Sequence, residues 1–181
     1  MIICGIDEAG RGPIAGPLVM AGVILKENIE GLNDSKKLTP KKREMLFDEI
    51  IKKSQYKIVE VDNHIIDEKG LSFAIKYCLN EILTSLKADK YIFDGNSSFG
   101  FDIDTMIKGD SKIKEISAAS ILAKVTRDKF MIKIAKQYPN YSFAKHKGYI
   151  TKQHIEEIKT HGYCDLHRIS YKLKALQPTL F

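Results

Sequence analysis

The opening stretch of the chain constrains its fold more than any other. Residues 2–7 (IICGID) are short, apolar and bounded by glycine, the pattern of a buried strand, and residues 17–25 (PLVMAGVIL) read as a second one. The link between them is tight and rich in glycine and proline, Gly10-Arg11-Gly12-Pro13, which makes the two strands neighbours. Such a sheet needs apolar cover, and the rest of the chain supplies it. Thr39-Pro40 is a helix start, with Thr39 as N-cap and proline at the first helical position, and the helix runs to about Lys53. Residues 56–61 (YKIVEV) alternate as a strand does. Over 70–87, Leu71, Ala74, Ile75, Cys78, Leu79, Ile82, Leu83 and Leu86 repeat at helical spacing. Residues 90–94 (KYIFD) form a further strand, a long helix covers roughly 117–137 and stops before Pro139, and 151–161 is a helix closed by Gly162. The order strand, strand, helix, strand, helix, strand, helix, helix predicts a mixed α/β domain with helices covering a sheet.

The length of 181 residues suits one domain, or one domain with a C-terminal extension, and 44% hydrophobic residues can bury a core. No apolar run approaches the roughly 20 residues of a membrane span. The N-terminal apolar stretch has no basic region before it and reads as the first strand, not a signal peptide, so the expected location is cytoplasmic. Cys4, Cys78 and Cys164 are odd in number, far apart and without a C-x-x-C pattern, which argues against a disulfide framework; Cys4 and Cys78 fall where small buried apolar residues belong. The histidines form no metal motif: His154 and His161 are two helical turns apart, about 10 Å, and all five read as surface or loop residues. A net charge of +6 favours polyanionic partners but is equally compatible with simple solubility.

The carboxylates carry more information. Asp7-Glu8 ends an apolar strand and runs into a glycine turn, and Asp94 repeats the arrangement in Tyr91-Ile92-Phe93-Asp94-Gly95. Strand ends are common ligand sites in α/β folds. On the 117–137 helix the apolar stripe runs Ala118, Ile121, Val125, then Asp128, then Ile132 and Ala135, which places an aspartate in register with core-facing residues. A lone buried carboxylate is costly unless it is paired or binds a cation. Arg127 or Lys124 can supply the pair; three further acids in search of company favour a metal. Mg2+ is a hard cation that takes oxygen ligands, and two such ions about 3.5–4 Å apart can activate water and stabilise the leaving oxygen of a phosphodiester.

The loop Gly10-Arg11-Gly12-Pro13-Ile14-Ala15-Gly16 has the spacing G-x-G-x-x-x-G, is followed by a strand and carries a proline in its turn, so it fails as a dinucleotide-binding fingerprint. Its glycines leave two readings open, a plain tight turn or a backbone able to approach a sugar closely. Adjacent side chains of an ideal strand point to opposite faces, so Asp7 and Glu8 reach one site if the strand ends or bends between them. The expectation is Asp7 within the strand and Glu8 borne by the turn.

Taken in order, GIDEAGRGPIAGPLV, LNDSKKLT, FDGN, ISAASILAKVTRD and HKGYITKQH resemble bacterial ribonuclease HII over about residues 3–168. The resemblance implies a ribonuclease H-like mixed sheet flanked by helices: a catalytic domain over 1–140, a C-terminal helical segment over 141–175 packing on it, and a tail over 176–181. It implies Mg2+- or Mn2+-dependent cleavage of RNA in RNA–DNA hybrids, and cutting 5′ to single ribonucleotides embedded in duplex DNA. Asp7, Glu8, Asp94 and Asp128 correspond to the family's four catalytic carboxylates. Gly10, Arg11 and Gly12 fall on the loop that senses the ribose 2′-hydroxyl, and Tyr149 on the tyrosine that stacks on the following deoxyribose. Lys36, Lys37 and Lys124 are candidate phosphate contacts, Lys124 sharing a helix face with Asp128. Ribonuclease HIII, the relative to exclude, typically carries an extra N-terminal domain and lacks the loop arginine; a first strand at residue 2 and Arg11 favour HII. Tyr163-Cys164-Asp165 departs from the family, where many members have a Gly-Pro-containing turn.

The chain ends Gln177-Pro178-Thr179-Leu180-Phe181, which resembles the Q-x-x-L-F peptides that bind the replication sliding clamp. Leu180 and Phe181 would enter an apolar pocket while Gln177 bonds at its rim; the alternative is a tail packed on its own domain. A monomer without membrane contact is expected. A non-catalytic hybrid-binding module is the competing reading, but four acids beside the substrate phosphates would repel what it has to bind.

Overall fold

The computed structural model describes residues 1–32 and 37–177. Five strands and six α-helices follow one another as β1 (Ile3–Ala9), β2 (Leu18–Leu25), α1 (Pro40–Lys53), β3 (Ser54–Val61), α2 (Asn63–Lys69), α3 (Leu71–Ser85), β4 (Lys90–Asp94), β5 (Asp104–Met106), α4 (Lys114–Ala135), α5 (Phe143–His146) and α6 (Lys152–His161). The strands form one sheet in the order β3-β2-β1-β4-β5. β1 is antiparallel to β2 and parallel to β4, so the carboxyl ends of β1 and β4 lie side by side. This is the α/β architecture expected, a mixed sheet flanked by helices.

The period of two in β1 decides which helix covers which face. Cys4 and Ile6 point to one side and pack with Cys78, Leu79 and Ile82 of α3. Gly5 lies on the other side against α4, where an added Cβ would stand 2.2 Å from the carbonyl carbon of Glu115. Ala21 of β2 and Ala118, Ala119 and Leu122 of α4 continue this close contact, small residues letting the helix lie tight on the sheet. A third cluster, Ile14, Ala15, Met131, Tyr141, Phe143, Ile158 and Leu166, joins the glycine loop to α4, α5, α6 and the chain beyond.

The structure adds elements that periodicity did not reveal. α2 is a two-turn helix capped by Asp62, which accepts from the Ile65 amide at 2.9 Å. β5 and α5 are three and four residues long, too short for any period to show. Two expectations are corrected. The histidines are not all superficial: His146, His154 and His167 are buried. The stripe on α4 is not the one predicted either, since Ile132 is exposed and Arg127 and Met131 are fully buried. α4 is covered on most of its circumference, so an apolar register drawn through Asp128 misplaced its solvent edge. Cys4 and Cys78 are buried as expected, and burial pushes both thiols up to about 12.

Candidate active site

The site is built where β1 and β4 end. One step beyond the Ile6–Phe93 pair, the parallel register brings Asp7 next to Asp94. Neighbours in register share a face of the sheet, and this is the face that α4 covers. The Ser120 hydroxyl on α4 acts on the Asp7 carboxyl and lowers it against burial, and Asp94 accepts from the Asp110 amide at 3.1 Å. Glu8 lies on the opposite face, because β1 stays paired with β2 through Ala9. It is therefore a strand residue, not the turn-borne partner expected. Its side chain reaches the site around the end of the sheet, where Oε1 receives the Arg11 Nε–H in a short ion pair.

The three acids act on one another. Burial, then the charges of Glu8 and Asp94, hold the Asp7 carboxyl well above the usual carboxylate range. Burial raises Glu8 as well, against the pull of Arg11. Glu8 Oε2 is buried and has no hydrogen-bond donor among the described residues. Asp128 stands apart from this trio, two turns along α4 from Ser120, and bonds Lys124 Nζ at 3.1 Å. Ser120, Lys124 and Asp128, at spacings of four, form one polar edge of the helix. Of the two pairings considered for Asp128, Lys124 is the one formed; Arg127 turns inward to backbone carbonyls.

Among the described residues no three His, Cys, Asp or Glu side chains stand as a finished metal cage. Glu8 is drawn to Arg11 and Asp128 to Lys124. The donor set nevertheless fits a divalent cation: oxygen ligands alone, two carboxyls lifted by crowding and burial, and one carboxylate oxygen without a donor.

A cleft of about 460 Å³ opens at Glu8, the one of the four acids on its walls, with the Gly10–Gly12 loop, Ser120, Lys124 and Tyr149 as further wall residues. Tyr149 is partly exposed, with Lys124 Nζ 5.5 Å and the Arg127 guanidinium 5.4 Å from its ring centre. Arg43 of α1 also lines the cleft; together with Ser120 it is a wall residue that no motif reading singled out. The Arg11 guanidinium lies 5.8 Å from the ring centres of both Phe93 and Phe99. Lys37 is exposed at the start of the segment leading to α1, and Lys36, Leu180 and Phe181 lie outside the described residues.

A family model, Ribonuclease HII, matches residues 4–174. The chain belongs to the ribonuclease HII family. Ribonuclease HII of Aliarcobacter butzleri is 59% identical over 177 residues, 96% of this chain and 92% of that protein. Among solved structures, ribonuclease HII in the complex with PCNA from Archaeoglobus fulgidus superimposes with a TM-score of 0.82 at 29% identity, over 99% of this chain and 98% of that one. Ribonuclease H2 from Pyrococcus horikoshii gives 0.78 at 30% identity, over 95% and 94%. Membership of ribonuclease HII makes this protein a metal-dependent endonuclease acting on the RNA of RNA–DNA hybrids. No helix among the described residues is long and apolar enough to cross a membrane.

Proposed function

We propose that the protein cuts on the 5′ side of single ribonucleotides embedded in duplex DNA, leaving 3′-hydroxyl and 5′-phosphate ends, as well as cutting continuous hybrids. Asp7, Glu8, Asp94 and Asp128 are its catalytic acids and the ligands of Mg2+ or Mn2+. Bound at such carboxylates, a pair of divalent ions supplies an activated water and charge stabilisation on the leaving oxygen. The observation that carries the reading is the crowding of Asp7, Glu8 and Asp94 at adjoining strand ends, beside a glycine loop that opens on a cleft.

The chain's own residues have separable tasks. Asp7 and Asp94 present oxygens from two rigid parallel strands, a mounting that holds geometry better than a loop would. Arg11 holds Glu8 until a stronger cation competes for it. Gly10, Arg11 and Gly12 offer backbone to a ribose, Gly12 having no described residue within 4 Å of the place a Cβ would occupy. Tyr149 offers a partly exposed ring on which a sugar can stack. Lys36, Lys37 and Lys124 neutralise phosphates, which makes binding fall with salt. The test is a duplex with one ribonucleotide, incubated with Mg2+, with Mn2+ and with EDTA. Cleavage 5′ to the ribonucleotide in the first two and none in the third is expected; the same pattern from Asp7→Asn would overturn the assignment.

A clamp contact through Gln177, Leu180 and Phe181 is supported by the QPTLF ending and by a relative from Archaeoglobus fulgidus solved as a complex with PCNA. Retention of the intact chain on the cognate clamp, lost in Leu180→Ala/Phe181→Ala, is the expected result. Equal retention of both sinks the contact.

A further inference from the structure

Two arginines are completely buried, Arg127 and Arg168, and among the described residues neither is paired with a carboxylate. Burial lowers both, Arg127 to about 10. A guanidinium in that position must satisfy its N–H groups on carbonyls. Those carbonyls belong largely to the glycine loop. Arg168 donates from Nη2 to Gly10 O at 2.7 Å, from Nη1 to Arg11 O at 3.1 Å and from Nε to Gly16 O at 2.9 Å. Its Nη1 also reaches the Tyr171 hydroxyl at 3.0 Å, and that hydroxyl donates to Arg11 O at 2.6 Å. Arg127 takes Ala15 O and Pro17 O, at 2.9 Å each.

The consequence follows from peptide planarity. In a trans peptide the carbonyl of one residue and the N–H of the next point in opposite directions. With Gly10 O and Arg11 O turned inward to Arg168, the N–H groups of Arg11 and Gly12 turn the other way, toward the cleft that these residues line. We propose that Arg168 and Tyr171 are positioning residues for sugar selection: they lock the Gly10–Gly12 loop with two successive amides facing the substrate. This rests on the reading that the loop meets the ribose. Neither residue lines the cleft, and they lie about 150–160 positions from the loop they hold. Because the lock is anchored in the third core cluster, it is set before substrate arrives, and the amides need no reorganisation on binding.

Tyr171→Phe removes one hydroxyl from a half-buried ring and keeps its packing, so the variant folds. Arg168→Lys keeps the charge but cannot reach three carbonyls and a hydroxyl at once. For the single-ribonucleotide duplex, kcat/KM is expected to fall about fivefold in Tyr171→Phe and tenfold or more in Arg168→Lys. Each loss shrinks in a Gly12→Ala background, where the loop face is already spoiled; a merely structural defect would add in full. NMR order parameters of the Arg11 and Gly12 amides fall in both variants while those of β1 stay high. Unchanged order parameters at those two amides, or kcat/KM within twofold of wild type in both variants while Gly12→Ala is impaired, overturns the lock. Wild-type kcat/KM in Gly12→Ala overturns instead the reading that the loop meets the sugar, and lowered order parameters then still support the lock.

Discussion

His154 and His167 meet nitrogen to nitrogen, Nε2 to Nε2, at 2.9 Å. Such a bond needs exactly one proton between the rings, and the surroundings say whose it is. His167 Nδ1 accepts the Cys164 amide at 2.9 Å, so the His167 proton sits on Nε2 and is donated to His154. His154 then carries its own proton on Nδ1 and donates it to Tyr149 O at 2.9 Å. His146 stacks on His154 at 4.1 Å, accepts the Gly148 amide on Nδ1 and donates from Nε2 to Glu157. A second proton on either of the first two rings sets N–H against N–H.

Burial lowers His154 and His167 from 6.5 to about 4. Their contribution to stability is therefore fully present above pH 6.5 and is lost as pH falls through about 4, worth roughly 3 kcal/mol for one such histidine. The nearby Glu157 favours protonation and His146 opposes it. Melting temperature is expected to fall steeply between pH 6.5 and 4. A flat profile over that range would contradict the assignment of two neutral rings, as would nitrogen chemical shifts showing an imidazolium at pH 6.

Asp7→Asn should separate activity from stability. The folded protein holds Asp7 well above its ordinary value of 3.8, so ionising it costs more when folded than when unfolded. The sign is thus opposite to that of an ion-paired carboxylate: stability is greatest below the unfolded value and lost as pH rises through the folded one. In metal-free protein at pH 7.5 the variant is expected to melt higher than wild type, with the gap closing near pH 3.8. Turnover should fall about a thousandfold or more. Addition of Mg2+ should raise the wild-type melting temperature and leave the variant nearly unmoved. A variant that melts lower at neutral pH would show that Asp7 is stabilising, not strained.

Much of this site is legible in the sequence because it is local. Asp94 ends an apolar run before a glycine and ends β4, while Asp7 ends its apolar run but lies two residues inside the end of β1, so a few residues apiece place both near the carboxyl ends of their strands. α3 is equally plain, with one face buried and one in water. α4 is not, since a helix covered nearly all round has no single stripe, and Asp128 belongs to the polar edge of Ser120 and Lys124. The buried guanidiniums could not be foreseen. An arginine reads as surface, and what buries Arg168 is a set of carbonyls about 150–160 residues away in the chain. The histidine chain is hidden for the same reason, as its members are spread over α5, α6 and the segment after them.

The loop's glycines make the last prediction, because two of them differ in what replaces hydrogen. At Gly10, φ is +98° and an added Cβ would lie 2.5 Å from Arg127 Nε and 2.6 Å from Pro17 O. Gly10→Ala therefore strains the backbone and breaks into the buried hydrogen bonds of Arg127, a cost of about 2 kcal/mol or more. At Gly12 nothing among the described residues lies within 4 Å of the new methyl. Gly12→Ala is expected to melt within a degree or two of wild type, yet to lose about tenfold or more in kcat/KM, because the methyl occupies space on the cleft side of the loop. Thermal melts and steady-state kinetics on the two variants check both halves. Equal destabilisation by the two substitutions would mean that Gly12 is held from within, as Gly10 is, and does not face the substrate.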